Sequence, residues 1–246
     1  MMESAGEKRT AFIAIVGRPN VGKSSLLNEL LGQKVAIVSK KPQTTRTRIM
    51  GVLTEGKIQL VFIDTPGLHK PRTRLGDYMV RSVSESVSGV DACLLVAEAG
   101  EEIGPAEREL MQKFRALSLP AVLALNKIDL MGDKSALMAQ IAAYSAEFPF
   151  EAVVPVSAVQ KDGVEDLKQE LSALSQPGGH FFEEDMLTDQ PERVLAAEMI
   201  REKLLRLLDK EIPHGVAVAV ERMREREGGG VTDIDAVIFC EKESHK

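Results

Sequence analysis

The sequence predicts an α/β fold with a mostly parallel sheet and helices on both faces, followed by a smaller α+β unit. Short apolar runs alternate with segments of helical spacing from residue 11 to about residue 174, which is typical of repeated strand–helix units. A glycine-rich stretch lies between the first apolar run and the first helical segment. A change in composition at 176–180 marks the boundary of the smaller unit.

The glycine-rich stretch runs from Gly17 to Ser24 and fits the phosphate-binding pattern G-x-x-x-x-G-K-S/T. A triphosphate needs many N–H donors, and glycines let the backbone approach it at a helix N-terminus. We expect Lys23 to reach the β- and γ-phosphates and the Ser24 hydroxyl to hold Mg²⁺. The other predicted contacts in this stretch are Gly17, Arg18, Pro19, Asn20, Val21, Gly22 and Ser25. The alternative is a glycine turn without a ligand.

Two apolar runs, 49–53 and 59–63, predict a strand pair, and the second run ends at Asp64. Ligands of α/β sheets bind at the carboxyl ends of strands, so Asp64 is expected to hold the Mg²⁺ hydration shell. The Gly67 amide is free to approach a γ-phosphate. Thr65, Pro66 and Leu68 complete the nucleotide contacts predicted here. The polar stretch 42–48 carries hydroxyls that suit a metal-bound γ-phosphate, or is simply a solvated loop.

The predicted strand 120–125 delivers Asn126-Lys127-Ile128-Asp129. The Asp129 carboxylate can accept hydrogen bonds from guanine N1–H and N2–H₂, which adenine does not offer in that arrangement. A site that pairs such groups can reject the wrong base by about 10⁴ to 10⁵. Asn126 is expected to tie this loop to the phosphate loop, and the Lys127 stem to cover the base. After the last strand, 152–156, a backbone amide at Ser157-Ala158 is predicted to bind guanine O6.

Further helices are predicted at 105–117, 134–148 and about 163–174, and a strand at 91–97. The smaller unit is predicted to contain an amphipathic helix at 191–208 and strands at 216–221 and 234–240. A charged hairpin loop is predicted between these strands, at 222–230.

Composition excludes several classes of protein. No apolar run approaches the length of a membrane span, and the polar N-terminus lacks a signal-peptide core, so we expect a cytoplasmic location. The two cysteines, Cys93 and Cys240, lie in apolar runs, as buried thiols of a reducing compartment do. Residues 181–246 hold 16 acidic and 10 basic groups and account for the whole formal charge of −6, which gives no electrostatic support for nucleic-acid binding.

The stretches GRPNVGKS, QTTRTR, DTPG, NKID and VSA resemble, in order and spacing, the motifs of a P-loop GTPase G domain over about 10–175. The QTTRTR and DTPGL forms and the sequence from 181 to 221 are similar to the Era family of bacterial GTPases. That resemblance implies a G domain at 1–176, a linker at 177–190 and a partial type II KH domain at 191–246.

The same resemblance implies a function: a GTP-hydrolysing switch in small (30S) ribosomal subunit assembly that binds the 3′ end of 16S rRNA. GTP or GDP and Mg²⁺ are the implied cofactors. Thr45, in preference to Thr44, would complete the Mg²⁺ shell, so that Lys23, Thr45 and Gly67 form the catalytic set. A monomer with peripheral association at the inner face of the cell membrane is also implied.

Three sequence features complicate this interpretation. KH domains clamp RNA with a GxxG loop, and residues 181–246 contain none, so we expect these 246 residues to bind rRNA weakly. Leu68 follows DTPG where Ras-type enzymes place a water-orienting glutamine. Asn20 stands where related GTPases use an asparagine to help hold K⁺, which makes it a candidate K⁺ ligand or a residue that only hydrogen-bonds its own loop.

Two alternatives stay open. One is a nucleotide-dependent RNA- or ribosome-binding module with negligible hydrolysis. The other is another GTPase with the TTR loop. A P-loop kinase is disfavoured by the N-K-x-D motif.

Overall fold

The structure is a computed structural model that describes residues 7–39, 49–64, 89–207 and 216–240. The described strands are β1 Arg9–Val16, β2 Ile49–Glu55, β3 Ile58–Asp64, β4 Ala92–Glu98, β5 Ala121–Asn126, β6 Ala152–Val156, β7 Gln176–Pro177, β8 Val216–Glu225 and β9 Thr232–Cys240. The described helices are α1 Lys23–Leu31, α2 Pro105–Leu117, α3 Lys134–Glu147, α4 Val164–Ala173 and α5 Glu192–Leu207, with a 3₁₀ turn at Ile128–Leu130.

The larger unit is built on a seven-stranded sheet in the order β2-β3-β1-β4-β5-β6, with β7 paired to β1. All pairs from β3 to β6 along that order are parallel, whereas β2 and β7 run antiparallel to their neighbours. The predicted mostly parallel sheet is therefore confirmed. Because parallel strands end at one edge, Val16, Asp64 and Asn126 lie at the same edge of the sheet.

Apolar side chains fill both faces of this sheet. On one face, α1 and α4 bury leucines such as Leu27, Leu30 and Leu167 against the strands. On the other face, α2 and α3 bury Phe114 and Tyr144. The strands are near-continuous apolar runs because they are covered on both sides. This packing fixes the sheet edge at which the predicted motifs end.

The smaller unit contains a two-stranded antiparallel sheet, β8 and β9, with α5 packed on β8. The sequence-based prediction of a loop over 222–230 is wrong for its first residues, since β8 continues to Glu225. The charged residues of this stretch had suggested a loop. These residues are largely exposed, so the ribbon tolerates them, and Arg226 pairs with Asp233 across the strands at 2.6 Å.

The stretch from β7 to α5 is bonded to the sheet. The buried Gln59 side chain accepts from the Phe181 N–H at 2.8 Å and donates to the Phe182 carbonyl at 2.9 Å. Farther on, Val52 N–H donates to the Leu187 carbonyl at 2.8 Å. Apolar periodicity gave no signal for this attachment, because it is made by backbone groups and one amide side chain. The division of the chain into domains at 176 and 190 stays a prediction.

Helix α5 contacts the stretch after α1 through polar groups. Glu202 is fully buried, pairs with the Lys34 ammonium and accepts from the Val38 N–H at 3.0 Å. Arg206 donates to the Val38 carbonyl at 3.1 Å and to Glu202 at 2.8 Å. Burial tends to raise the pKa of Glu202, but these hydrogen bonds and charges lower it more, to a net value below its ordinary 4.5. Among the described residues, every helix is too short or too polar to cross a bilayer.

Glu202→Gln tests this attachment. A carboxylate with a lowered folded-state pKa stabilises the fold above its ordinary pKa, and that contribution is lost as pH falls through the folded value. We expect the variant to lose about 1.5–3 kcal/mol at pH 7, the range for hydrogen bonds to charged groups. As the pH falls below the ordinary pKa of 4.5 and through the lower folded-state pKa, its melting temperature should converge on that of the parent chain. Glu170→Gln, at an exposed position on α4, is the control. An equal loss at pH 7 and at low pH would contradict the assignment.

Candidate nucleotide-binding site

The predicted phosphate loop joins β1 to α1 at the carboxyl edge of the sheet. Lys23 is 7% exposed, and its ammonium donates to the carbonyls of Gly17 at 3.1 Å and Arg18 at 2.9 Å. Burial lowers the pKa of Lys23 to about 8, although the charge of Asp64 acts in the opposite direction. A cation held in this way would be stabilised by phosphate oxygens placed beside it.

Two glycines of the loop are fixed by contacts with other strands. Gly17 has φ +148, and a Cβ there would lie 2.2 Å from the Val96 carbonyl oxygen of β4. Gly22 has φ +99, and a Cβ there would lie 2.3 Å from Asn126 Nδ2. Both positions therefore need glycine for space as well as for backbone conformation.

The predicted magnesium ligands in the described ranges lie together. Ser24, in the first turn of α1, donates its hydroxyl hydrogen to Asp64 Oδ2 at 2.8 Å. Asp64 is fully buried at the end of β3. A hydroxyl and a carboxylate beside a phosphate loop are the hard oxygen ligands that Mg²⁺ prefers, so the residues fit the ion. The remaining predicted residues around the γ-phosphate, Thr45, Thr65, Pro66, Gly67 and Leu68, lie outside the described residues.

Asn126 connects the phosphate loop to the loop after β6. Its side chain is buried, donates through Nδ2 to the Val21 carbonyl at 2.8 Å, and accepts at Oδ1 from the Ala158 N–H at 3.1 Å. The tie between Asn126 and the phosphate loop is the one expected from sequence. Both ends of the amide are used, which fixes its orientation and the spacing of the two loops.

The predicted base-binding groups are also held in place. Asp129 Oδ1 accepts from the buried Ser157 hydroxyl at 2.5 Å, and Lys127 forms an ion pair with Glu98 at 2.6 Å. Lys127 has a left-handed backbone, φ +70, at the turn into the 3₁₀ helix. The Ser157 N–H donates to the Asp162 carbonyl at 2.9 Å. The Ala158 N–H already donates to Asn126 Oδ1. A guanine O6 bound by the Ser157 or Ala158 N–H would therefore share that N–H with its present acceptor.

The other predicted contacts lie on the same loop or on the helix that follows it. Arg18, Pro19 and Ser25 are half-buried, and Asn20 is exposed with φ +65, a left-handed conformation that asparagine tolerates well.

Known proteins are similar to this chain along nearly its whole length. Residues 12–127 match the family model described as "50S ribosome-binding GTPase". "GTPase Era" of Ruminiclostridium cellulolyticum is 50% identical over 97% of this chain and 79% of its own length. The chain belongs to the Era family of GTPases. The Era of Clostridioides difficile is 45% identical over 97% of this chain and 80% of its own length.

Solved Era structures share the fold. One, an Era in complex with MgGDPNP and nucleotides 1506–1542 of 16S ribosomal RNA, matches with a TM-score of 0.89 and 35% identity. The match covers 96% of this chain and 80% of the Era chain in that complex. A variant of Aquifex aeolicus Era bound to GDP·AlF₄⁻ gives the same TM-score and identity. As in the rest of the Era family, the activity of this chain is GTP hydrolysis.

Sequence reasoning missed two acidic residues beside the Era-family motifs. Glu98 pairs with Lys127, and Glu107, on α2, forms an ion pair with Arg18 of the phosphate loop. Neither belongs to a motif. Glu107 lies three residues after Gly104, a spacing typical of helix N-terminal capping, and that was the only local signal for it.

Gly22→Ala tests the contact between the phosphate loop and Asn126. The added methyl would displace the amide, so we expect GDP binding to weaken by roughly a hundredfold, the scale of an ångström misplacement. Gly32→Ala is a matched control at the other end of α1. Its φ of +66 is also left-handed, but nothing lies within 4 Å of its added Cβ.

The control should therefore lose about 1–2 kcal/mol of stability from backbone strain and keep its GDP affinity. Calorimetric titration with GDP measures the affinity, and thermal melting measures the stability. Equal loss of GDP affinity in the two variants would show that backbone strain, not the Asn126 contact, causes the effect.

Proposed function

We propose that this Era-family chain is a GTP-driven switch that acts in small ribosomal subunit assembly by binding the 3′ end of 16S rRNA. The observation that carries the proposal is the joining of the phosphate loop to the base-binding loop through Asn126. The rRNA partner is supported by the related Era structure that contains nucleotides 1506–1542 of 16S rRNA.

In this proposal each buried polar group acts on a defined part of GTP. Lys23 moves from the carbonyls of Gly17 and Arg18 to the β- and γ-phosphates. Ser24 and Asp64 would hold Mg²⁺, and Thr45 would complete its shell. When bound, the ion would offset phosphate charge that grows during hydrolysis. The Gly67 amide approaches the γ-phosphate, which makes the loops containing Thr45 and Gly67 responsive to its presence.

Guanine selection in this proposal comes from Asp129. The Ser157 hydroxyl occupies Asp129 Oδ1 and orients the carboxylate toward the base edge. The Lys127 stem covers the base while Glu98 holds its ammonium. A carboxylate fixed in this way favours a base with two adjacent N–H donors, which guanine has and adenine lacks.

The RNA-binding part is assigned to residues 191–246, as a partial type II KH domain. Those residues contain no GxxG sequence and carry more acidic than basic groups. We therefore expect this chain to bind the isolated 3′-end rRNA segment more weakly than in the nanomolar range. We expect a chain that acts on ribosomal subunits to lie in the cytoplasm. Peripheral membrane association and a monomeric state stay predictions from the family resemblance.

Phosphate release from GTP tests the proposed function. We expect hydrolysis by the parent chain to accelerate with small ribosomal subunits and to be unchanged by large subunits. Lys23→Ala should lose tight nucleotide binding and hydrolysis together, because it removes the charge beside the γ-phosphate. Equal acceleration by both subunits, or by neither, would contradict action on the small subunit. Nanomolar binding of a 3′-end rRNA oligonucleotide at physiological salt would contradict the expected weak RNA affinity.

We also propose that Asn20 helps to hold a K⁺ ion beside the phosphates. The residue lies on the phosphate loop in a left-handed conformation, exposed at the mouth of the site. An amide oxygen next to several phosphate oxygens suits a hard monovalent cation. A positive charge there would stabilise the charge that develops between the β- and γ-phosphates.

The test is GTP turnover in K⁺ and in Na⁺ at matched ionic strength, for the parent chain and Asn20→Ala. We expect faster turnover in K⁺ for the parent chain and no cation preference for the variant. A parent rate indifferent to the cation would remove the proposed ion. K⁺ stimulation that persists in Asn20→Ala would remove Asn20 from its ligands.

A further inference from the structure

An ion pair with one buried partner joins the phosphate loop to α2. Glu107, in the first turn of α2, is fully buried, and its carboxylate pairs with Nε of Arg18. The second carboxylate oxygen accepts the Gly104 N–H at 3.1 Å. Removing one partner of such a pair leaves an uncompensated charge in a poorly solvated place, which is costly.

The surroundings of this pair are apolar. Helix α2 is fixed against the sheet by Leu110 and Phe114, both fully buried. Tyr144 of α3 is also fully buried, and its pKa is raised first by that burial and then by the charge of Glu107, with Arg18 acting in the opposite direction. The buried Glu107 carboxylate therefore lies in a largely apolar setting, where a nearby cation is the main compensation for its charge.

Arg18 links this pair to the chemistry of the loop. Its side chain is held by α2, and its backbone carbonyl is an acceptor of the Lys23 ammonium at 2.9 Å. The adjacent Gly17 carbonyl is the other acceptor, at 3.1 Å. The stretch that places Lys23 is therefore anchored to a helix outside every nucleotide-binding motif.

We propose that Glu107 is a positioning residue for nucleotide binding. Acting through Arg18, it keeps the phosphate loop and Lys23 in the conformation that receives the phosphates. The inference rests on the nucleotide site proposed above. Loss of Glu107 lowers the fraction of molecules whose loop is ready to bind, and the apparent affinity falls by that same fraction.

Glu107→Gln should therefore slow the association of GDP and of GTP alike, by about tenfold if one molecule in ten keeps a competent loop. Hydrolysis of GTP already bound should change less, because bound phosphates themselves order the loop. The double variant Glu107→Gln/Arg18→Gln carries no unpaired buried charge. It should fold and show the same slow association as the single variant, because both lack the same anchor.

The experiment is stopped-flow association of fluorescent GDP and GTP, with single-turnover hydrolysis, well below the lowest melting temperature of the set. Glu147→Gln is the matched control, since it breaks the exposed Arg108–Glu147 pair, 3.1 Å, at the same helix and leaves the loop untouched. It should associate at the parent rate.

The proposal is overturned if Glu107→Gln associates at the parent rate, or if Glu147→Gln is slowed equally. The single variant Arg18→Gln is measured in the same way. The proposal is also overturned if the double variant is slowed by the product of the effects of Glu107→Gln and Arg18→Gln, because Glu107 would then act by a route other than Arg18. Failure of the parent chain itself to bind GDP would instead overturn the proposed nucleotide site.

Discussion

The nucleotide site depends on one buried amide. Asn126 donates to the phosphate loop at Val21 and accepts from the base-binding side at Ala158. These loops follow different strands and are distant in sequence, yet a nucleotide must contact both at a fixed separation. A side chain that satisfies both loops while fully enclosed sets that separation before any ligand arrives. In the proposed site, phosphate binding and base selection therefore depend on the same pair of hydrogen bonds.

The phosphate loop is held against strain from several directions. Gly17 rests on the Val96 carbonyl of β4, Gly22 on Asn126, and Arg18 on the carboxylate of Glu107. The left-handed conformation at Lys127 is unfavourable by itself. It persists because the packed sheet and helices around it over-determine the backbone. The surrounding packing also holds Lys23 in an unfavourable position, because burial lowers its pKa to about 8. Solvent stabilises its charge poorly there, whereas phosphate oxygens would stabilise it well.

Sequence reasoning succeeded where the signal was local. Continuous apolar runs identified the sheet strands, since a strand covered on both faces has to be apolar throughout. Asp129 was predicted because a carboxylate can pair with the N–H donors of guanine, and Asn126 because its motif implies a tie to the phosphate loop, which the structure contains. It failed for Glu107, because a single glutamate on a helix looks the same whether it faces water or a distant arginine. It also failed for Glu202, whose partner is the backbone of Val38. Long-range polar pairs leave no periodic trace.

The attachment of α5 differs in kind from the core of the larger unit. Glu202 and Arg206 bind both backbone groups of Val38, and the ion-paired side chain of Lys34 is 41% exposed. Each of these groups could form hydrogen bonds with water after separation, whereas core leucines cannot recover their burial elsewhere. These polar contacts fix the orientation of α5, and the fully buried Glu202 contributes more to stability than the exposed groups around it.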